Sequence, residues 1–495
     1  MGSNSRISVC TPVGPTRKSE PAGTLTAYYA HAPTCLLALA CGILLVLGKP
    51  ASILSLLLGR WVVIGACKAL APWNTLKLNI RTLSLLCYSL LCVVGLLHVC
   101  VYRFTYDSDF GPYGDDSRYF EKMLALVNGY EYESPLSYIF TVTPYQYVLA
   151  AVYLGLSLVG KPELLDLLPI NWAAGAICVG LSYLLACQLT GRRCSAALTV
   201  AALMGSAVFV DSVVHLYRDG LMCVAFLACL LAAVRRRYVL ALVLAVAAGA
   251  MRGANGFVAL IAVVFLVISN AHVTKRARVL AVVAAAGAFG VTLVLFQDLL
   301  LPRTTSMLFE TAKQEYAVRP LSVREVIEGR REELFLSRQK TGGVYDIMYR
   351  SPWSVVIGPV MQMFYPVTFD DAVHTEEVHI EGWRLFTVRM LRPYSVLRWV
   401  NILLLIKLGP MTLIGIYRGL RGPLVRKVIV CTFLTLVAGV SFVSFQDRHA
   451  CMFIVLLPAL LGFAEEARST RAERVLGGCF LGVIFLFNIR RLLIS

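Results

Sequence analysis

Asp115 and Asp116 stand side by side in GDDSRYF, followed by Arg118 and Tyr119, in the loop that follows a long apolar run. Adjacent carboxylates can divide roles, one taking a proton while the other holds a cation or a hydroxyl. The plain alternative is a solvated turn, because GPYGDDS is good turn chemistry. Three further stretches place ionisable residues at the ends of apolar runs. HLYRDG (residues 215–220) opens an apolar run with Asp219, which reads either as a helix cap with Arg218 as its salt-bridge partner or as a functional carboxylate. In AMRGANGF, Arg252 interrupts an apolar stretch where Gly253, Asn255 and Gly256 alone would make the break. A planar guanidinium suits a phosphate ligand. SFQDRHACMF puts Asp447, Arg448 and His449 in a tight turn between two apolar runs, more charge than a connection needs. Ionisable groups at a membrane boundary are costly and are functional candidates by default.

The surroundings of these residues are apolar. Of 495 residues, 58% are hydrophobic and 15% charged, with a mean hydropathy of +0.72; a soluble domain is about a quarter charged. Apolar runs of about 17–25 residues, enough to span a bilayer as helix, recur along the chain. The fold expected is an all-α polytopic membrane protein of about 11–14 transmembrane helices. Candidate spans fall at 34–48, 51–67, 82–102, 139–160, 168–190, 195–214, 219–234, 238–251, 254–270, 279–301, 351–367, 394–417, 428–445, 449–464 and 475–492. The first two, split by Lys49-Pro50, form a hairpin or one kinked helix. Residues 1–32 read as a disordered cytoplasmic tail without a signal peptide, and 33–495 as one membrane domain.

The net charge of +17 does not point to nucleic acid. Arg235–Arg237, Lys275–Arg278, Arg418–Lys427 and Arg468–Arg474 cluster at the ends of apolar runs, the positive-inside pattern, where they orient helices and meet anionic headgroups of membrane lipids. From these anchors the N-terminus is cytoplasmic. Two large loops, 103–138 and 302–393, fall on the opposite face with His215–Asp219, Arg252 and Asp447–His449. One conflict arises: three candidate spans separate the 103–138 loop from Asp219, so one of them is a half-span or no span. The 15 cysteines sit mostly in apolar runs without a CxxC pair and read as small core residues. DDAVHTEEVHIEGW (Asp370 to Trp383) holds His374, Glu376 and His379 but lacks HExxH spacing, so a solvated acidic loop is favoured over a metal site.

DDSRY, TPYQYVLAAVYLGLSLVG (Thr143–Gly160), YRDGLMCVAFLACLL (Tyr217–Leu231) and DRHACMFIVLLPALLG (Asp447–Gly462), in that order, resemble the GT-C superfamily of membrane glycosyltransferases. The likeness is to the branch of protein O-mannosyltransferases, lipid A aminoarabinose transferases and family 39-like bacterial proteins, and covers about residues 82–464. It implies a GT-C-like helical bundle in a bacterial inner membrane with an extracytoplasmic active site. It implies a polyprenyl-phosphate-linked sugar donor, a hydroxyl or amine acceptor and inverting transfer. By that resemblance Asp115 is the general base, Asp116 its support and Asp219 the second-loop carboxylate, and Arg448 and His449 approach the lipid phosphate. Arg118 and Tyr119 hold the loop, and Arg218 and Arg252 join the phosphate-binding set. Family-typical soluble C-terminal domains are missing, Asp116 stands where Glu is common, and Arg252 matches no family position. No cofactor is required by these motifs, with a divalent cation left open. Two other readings remain: a polysaccharide polymerase or ligase using a lipid-pyrophosphate-linked glycan, and a transporter, against which stands the absence of an internal repeat.

Overall fold

In a computed structural model of the chain, the described residues are 23–50, 52–106, 115–129, 143–268, part of 274–287, 374–377, 387–390, 393–443, 450–466 and 470–494. They are helical apart from one short antiparallel pair, β1 (His374–Glu377) with β2 (Thr387–Met390). The expected all-α chain therefore carries a small hairpin inside 302–393, and His374 and Glu376 lie on its first strand. The candidate spans 279–301 and 351–367 lie wholly or largely outside the described residues, as does His379.

The N-terminal helices are α1 (Gly23–Val46), α2 (Ser52–Leu70) and α3 (Ile80–Tyr106). The helix α1 begins inside the stretch read as a disordered tail, and Gly48, with φ +68°, separates α1 from α2, so the first two runs are two helices. Next come α4 (Asp115–Val127), α5 (Pro144–Ser157) and α6 (Leu164–Thr190). Asp115 and Asp116, for which a solvated turn was the plain alternative, form the first turn of α4. The reason is amphipathic spacing: Asp116, Tyr119, Phe120 and Met123 share one face, with Met123 fully buried and the two rings packed on the core. A capping box starts α5, where the Thr143 N–H donates to Gln146 Oε1 at 2.8 Å and Pro144 fills the first helical position.

The span expected at 195–214 is two helices, α7 (Ala196–Met204) and α8 (Ala207–Val214), bent by 70°. Ser195 and Ser206 each accept an N–H three residues on, so each half has its own N-cap. The chain continues through α9 (Asp219–Val234), α10 (Tyr238–Met251) and α11 (Gly253–Ile268). After the strands come α12 (Pro393–Arg421), α13 (Leu424–Val443), α14 (Cys451–Ile454), α15 (Leu457–Glu465) and α16 (Thr470–Ile494). Pro458 restarts the helix at α15, splitting the run expected at 449–464. Among the described residues, four helices are long and apolar enough to cross a membrane, and the bent pair makes a fifth if it is one span. By length and composition these are the helices of a membrane protein.

The spine is α6, buried along nearly its whole length. Its Trp172 ring lies where a Cβ on Gly95 would stand, 2.5 Å from the nearest ring carbon, so α3 meets α6 at glycine distance. Described cysteines such as Cys87, Cys92, Cys223 and Cys229 are buried, and none forms a disulfide. One end of the bundle collects basic residues. Arg235 donates to the Trp73 carbonyl and to Thr75 Oγ1, Gln188 reaches the same two groups, and Arg193 reaches the Leu76 carbonyl. Arg426 grips Glu466 with two nitrogens, at 2.5 and 2.6 Å. From that end, α9 runs back through 16 residues, about 24 Å at 1.5 Å per residue, to Asp219.

Candidate functional site at the acidic end of the bundle

Asp116 is the second residue of α4 and is 2% exposed. Its Oδ2 lies 2.7 Å from His215 Nδ1, and its Oδ1 accepts the Leu216 N–H. Both carboxylate oxygens are thus committed to the turn between α8 and α9. Burial works to lower the His215 pKa. The Asp116 carboxylate, and Asp211 with its Oδ1 3.5 Å from Nε2, outweigh burial and raise it to about 10. The two carboxylates thus favour the protonated ring.

Four residues on, Asp219 opens α9. A carboxylate there suits the positive end of the helix dipole. Its partner is Arg252, whose Nη1 is 2.7 Å from Asp219 Oδ1. The expected partner Arg218 is adjacent in sequence, but its backbone is the N-cap of the same helix, and among the described residues it forms no ion pair with Asp219. Arg252 sits in the break between α10 and α11, with extended backbone, and 20% of its side chain is exposed.

Asn171 joins the two pairs. Its Nδ2 donates to the His215 carbonyl at 2.5 Å and the Tyr217 carbonyl at 2.7 Å, and its Oδ1 accepts the Tyr145 hydroxyl at 3.1 Å. Trp172, the next residue, donates to the Val214 carbonyl. Tyr119 meets Tyr145 edge to face with centroids 5.4 Å apart. Burial pushes the Tyr145 phenol well above its ordinary range, and Tyr119, Asp116 and Asp219 add to it. One phenol thus senses both carboxylates.

This arrangement removes the sequence conflict. The Tyr145 hydroxyl at the start of α5 meets Asn171, seven residues into α6. Six residues after α5 ends, Glu163 at the start of α6 pairs with Lys49 beside α2. The 14-residue α5 begins and ends near the same end of the bundle and is not a span. Only α6 and the bent α7–α8 separate Asp116 from Asp219, so the two pairs share an end.

Of the site residues expected from sequence, Asp116, Asp219, Arg252 and Tyr119 are brought together, and Arg218 is adjacent and half-buried. Asp115 is the first residue of α4, and the side chains of Asp115 and Arg118 lie outside the described set, as do Asp447, Arg448 and His449 entirely. The first described residues after that turn lie against α9, with Cys451 Sγ 3.6 Å from Cys223 Sγ, one turn beyond Asp219. Sequence reasoning passed over His98, Asn171 and Asp211, and quoted the motifs that hold Tyr145, His215 and Tyr217 without giving those residues a role. The available signal was a polar residue inside an apolar run. Among the described residues no group of three or more His, Cys, Asp and Glu is placed to hold a metal ion.

No family model, no curated protein and no solved structure matches this chain. The class defined by fold and site is a helical membrane protein with two carboxylate–cation pairs, both carboxylates buried, at one end of its bundle.

Proposed function

We propose that this chain is a membrane glycosyltransferase that moves a sugar from a polyprenyl-phosphate donor to a hydroxyl or amine acceptor, with inversion. The observation that carries this reading is the pairing of Asp116 with His215 and of Asp219 with Arg252 around Tyr145 and Asn171. Buried ionisable groups at the end of an apolar bundle mark a site, because their desolvation is otherwise unrewarded. The order of the motifs supports the donor class.

In this reading the acceptor attacks the anomeric carbon from the face opposite the phosphate. The carbon–oxygen bond to phosphate breaks, and the electron pair leaves with the polyprenyl phosphate. The acceptor's proton passes to Asp115, the carboxylate next to the committed Asp116. The leaving phosphate is already ionised and needs counter-charge rather than a proton, which Arg252, Arg218, Arg448 and His449 are of the type to supply. The basic rim at the far end corresponds to the cytoplasmic face, the site end to the outer face, and the shorter apolar helices to further spans toward 11–14.

The test is incubation of membranes containing the chain with labelled polyprenyl-phosphate sugars and an envelope extract. Consumption of one such lipid, lost in Asp115→Asn while membrane insertion is kept, is the expected result. Consumption of a lipid-pyrophosphate glycan instead identifies a polymerase or ligase, and sugar uptake into vesicles identifies a transporter.

A further inference from the structure

His215 is held from several elements. Asp116 of α4 meets Nδ1 at 2.7 Å, and Asp211 of α8 faces Nε2 at 3.5 Å. His98 of α3 stands edge-on, with centroids 4.7 Å apart, and Tyr217 lies flat against the ring at 4.9 Å with 12° between planes. Asn171 of α6 holds the His215 carbonyl. These are the titratable and polar groups facing the ring among the described residues.

A neutral imidazole has one N–H and one lone pair. With carboxylates at both nitrogens, a neutral ring would turn its lone pair on an anion. The doubly protonated ring satisfies both. The buried Asp116 has no further oxygen free, since the Leu216 N–H takes the other one. Joining two helices does not require this. Asp116 and His215 are 99 residues apart, and their bond ties the start of α4 to the turn before Asp219.

We infer that His215 is a positioning residue, whose grip on Asp116 sets the start of α4, and with it Asp115, against the turn that carries Arg218 and Asp219. The activity arm of this inference rests on the transferase reading; the structural arm does not.

The experiment uses the full chain in lipid nanodiscs with ¹⁵N-histidine. The His215 signal is assigned by its loss in His215→Gln. The expected signal shows both nitrogens protonated from neutral pH until the pH nears about 10, with titration falling toward the ordinary histidine range in Asp116→Asn. Transfer by His215→Gln is expected to fall about 100-fold in kcat with the donor KM little changed, as for a reacting group displaced by about an ångström. The double variant Asp116→Asn, His215→Gln is expected to be no worse than either single one. Should His215→Gln fail to fold, Asp211→Asn removes the carboxylate at the more exposed edge, and the alkaline limb of the activity profile is expected to move to lower pH. A His215 ring that titrates in the ordinary range in the unaltered chain overturns the grip whatever reaction is catalysed. Unaltered kcat in His215→Gln, or an unmoved limb in Asp211→Asn, overturns the positioning role. Absence of transfer from every donor by the unaltered chain overturns the transferase reading instead, and the histidine signal still decides the grip.

Discussion

Asp219 and Arg252 are 33 residues apart in the chain and 2.7 Å apart in space, at opposite ends of a helical hairpin formed by α9 and α10. The hairpin returns the chain to its starting level, and the break before α11 leaves Arg252 at the height of the Asp219 carboxylate. Removing one partner leaves a charge in a site built for two. Asp219→Asn or Arg252→Gln is expected to destabilise the protein by about 3–5 kcal/mol. The double neutral variant is expected to recover part of that loss. Thermal unfolding in detergent measures it, and single variants as stable as the unaltered chain would show that the pair contributes nothing.

The pH dependence of stability follows from His215. Its folded pKa of about 10 lies above the ordinary value of 6.5. The folded protein binds the proton more tightly, so this contribution is fully present below about pH 6.5 and is lost as pH rises toward 10. The stability difference between the unaltered chain and His215→Gln is expected to shrink across that window. A difference that grows with pH would contradict the assignment.

Gly256 faces Gly249 across the break, backbone to backbone, so an added methyl meets main chain that cannot turn aside. Gly256→Ala is expected to cost about 1–3 kcal/mol as overpacking and to disturb the Arg252–Asp219 pair. Gly155→Ala on α5 meets nothing within 4 Å and serves as control, expected to be neutral or slightly stabilising. Equal melting temperatures for the two variants would refute the close approach.

Asn171 satisfies two carbonyls and one hydroxyl at once. Asn171→Ala is expected to cost about 1–3 kcal/mol for each group left without a partner. Asn171→Asp keeps the shape but points an acceptor at the His215 and Tyr217 carbonyls. It is expected to be at least as damaging at neutral pH, and a benign Asn171→Asp would remove the bridging role.

Some of this site was legible before any fold was known. Asp116, Asp219 and Arg252 stood out because charge beside apolar runs is costly. The pairing of Asp219 did not follow from proximity in sequence: Arg218 is its neighbour, but Arg252 is brought to it by the turn between helices. His98 and Asn171 were hidden because one polar residue in an apolar run resembles a satisfied core residue. The helix α4 was hidden because a short amphipathic segment scores poorly against long apolar ones, and its burial depends on Tyr119, Phe120 and Met123 finding the bundle.

The sequence by itself determined the solvent. Its apolar run lengths point to a helical membrane protein, because hydropathy is a sum over residues that needs no partner. Tertiary structure decided which carboxylate is buried, which cation it meets and where a span is only a half-turn of the path. Those depend on groups 33 to 100 residues apart reaching hydrogen-bond distance, which the local pattern of a chain does not encode.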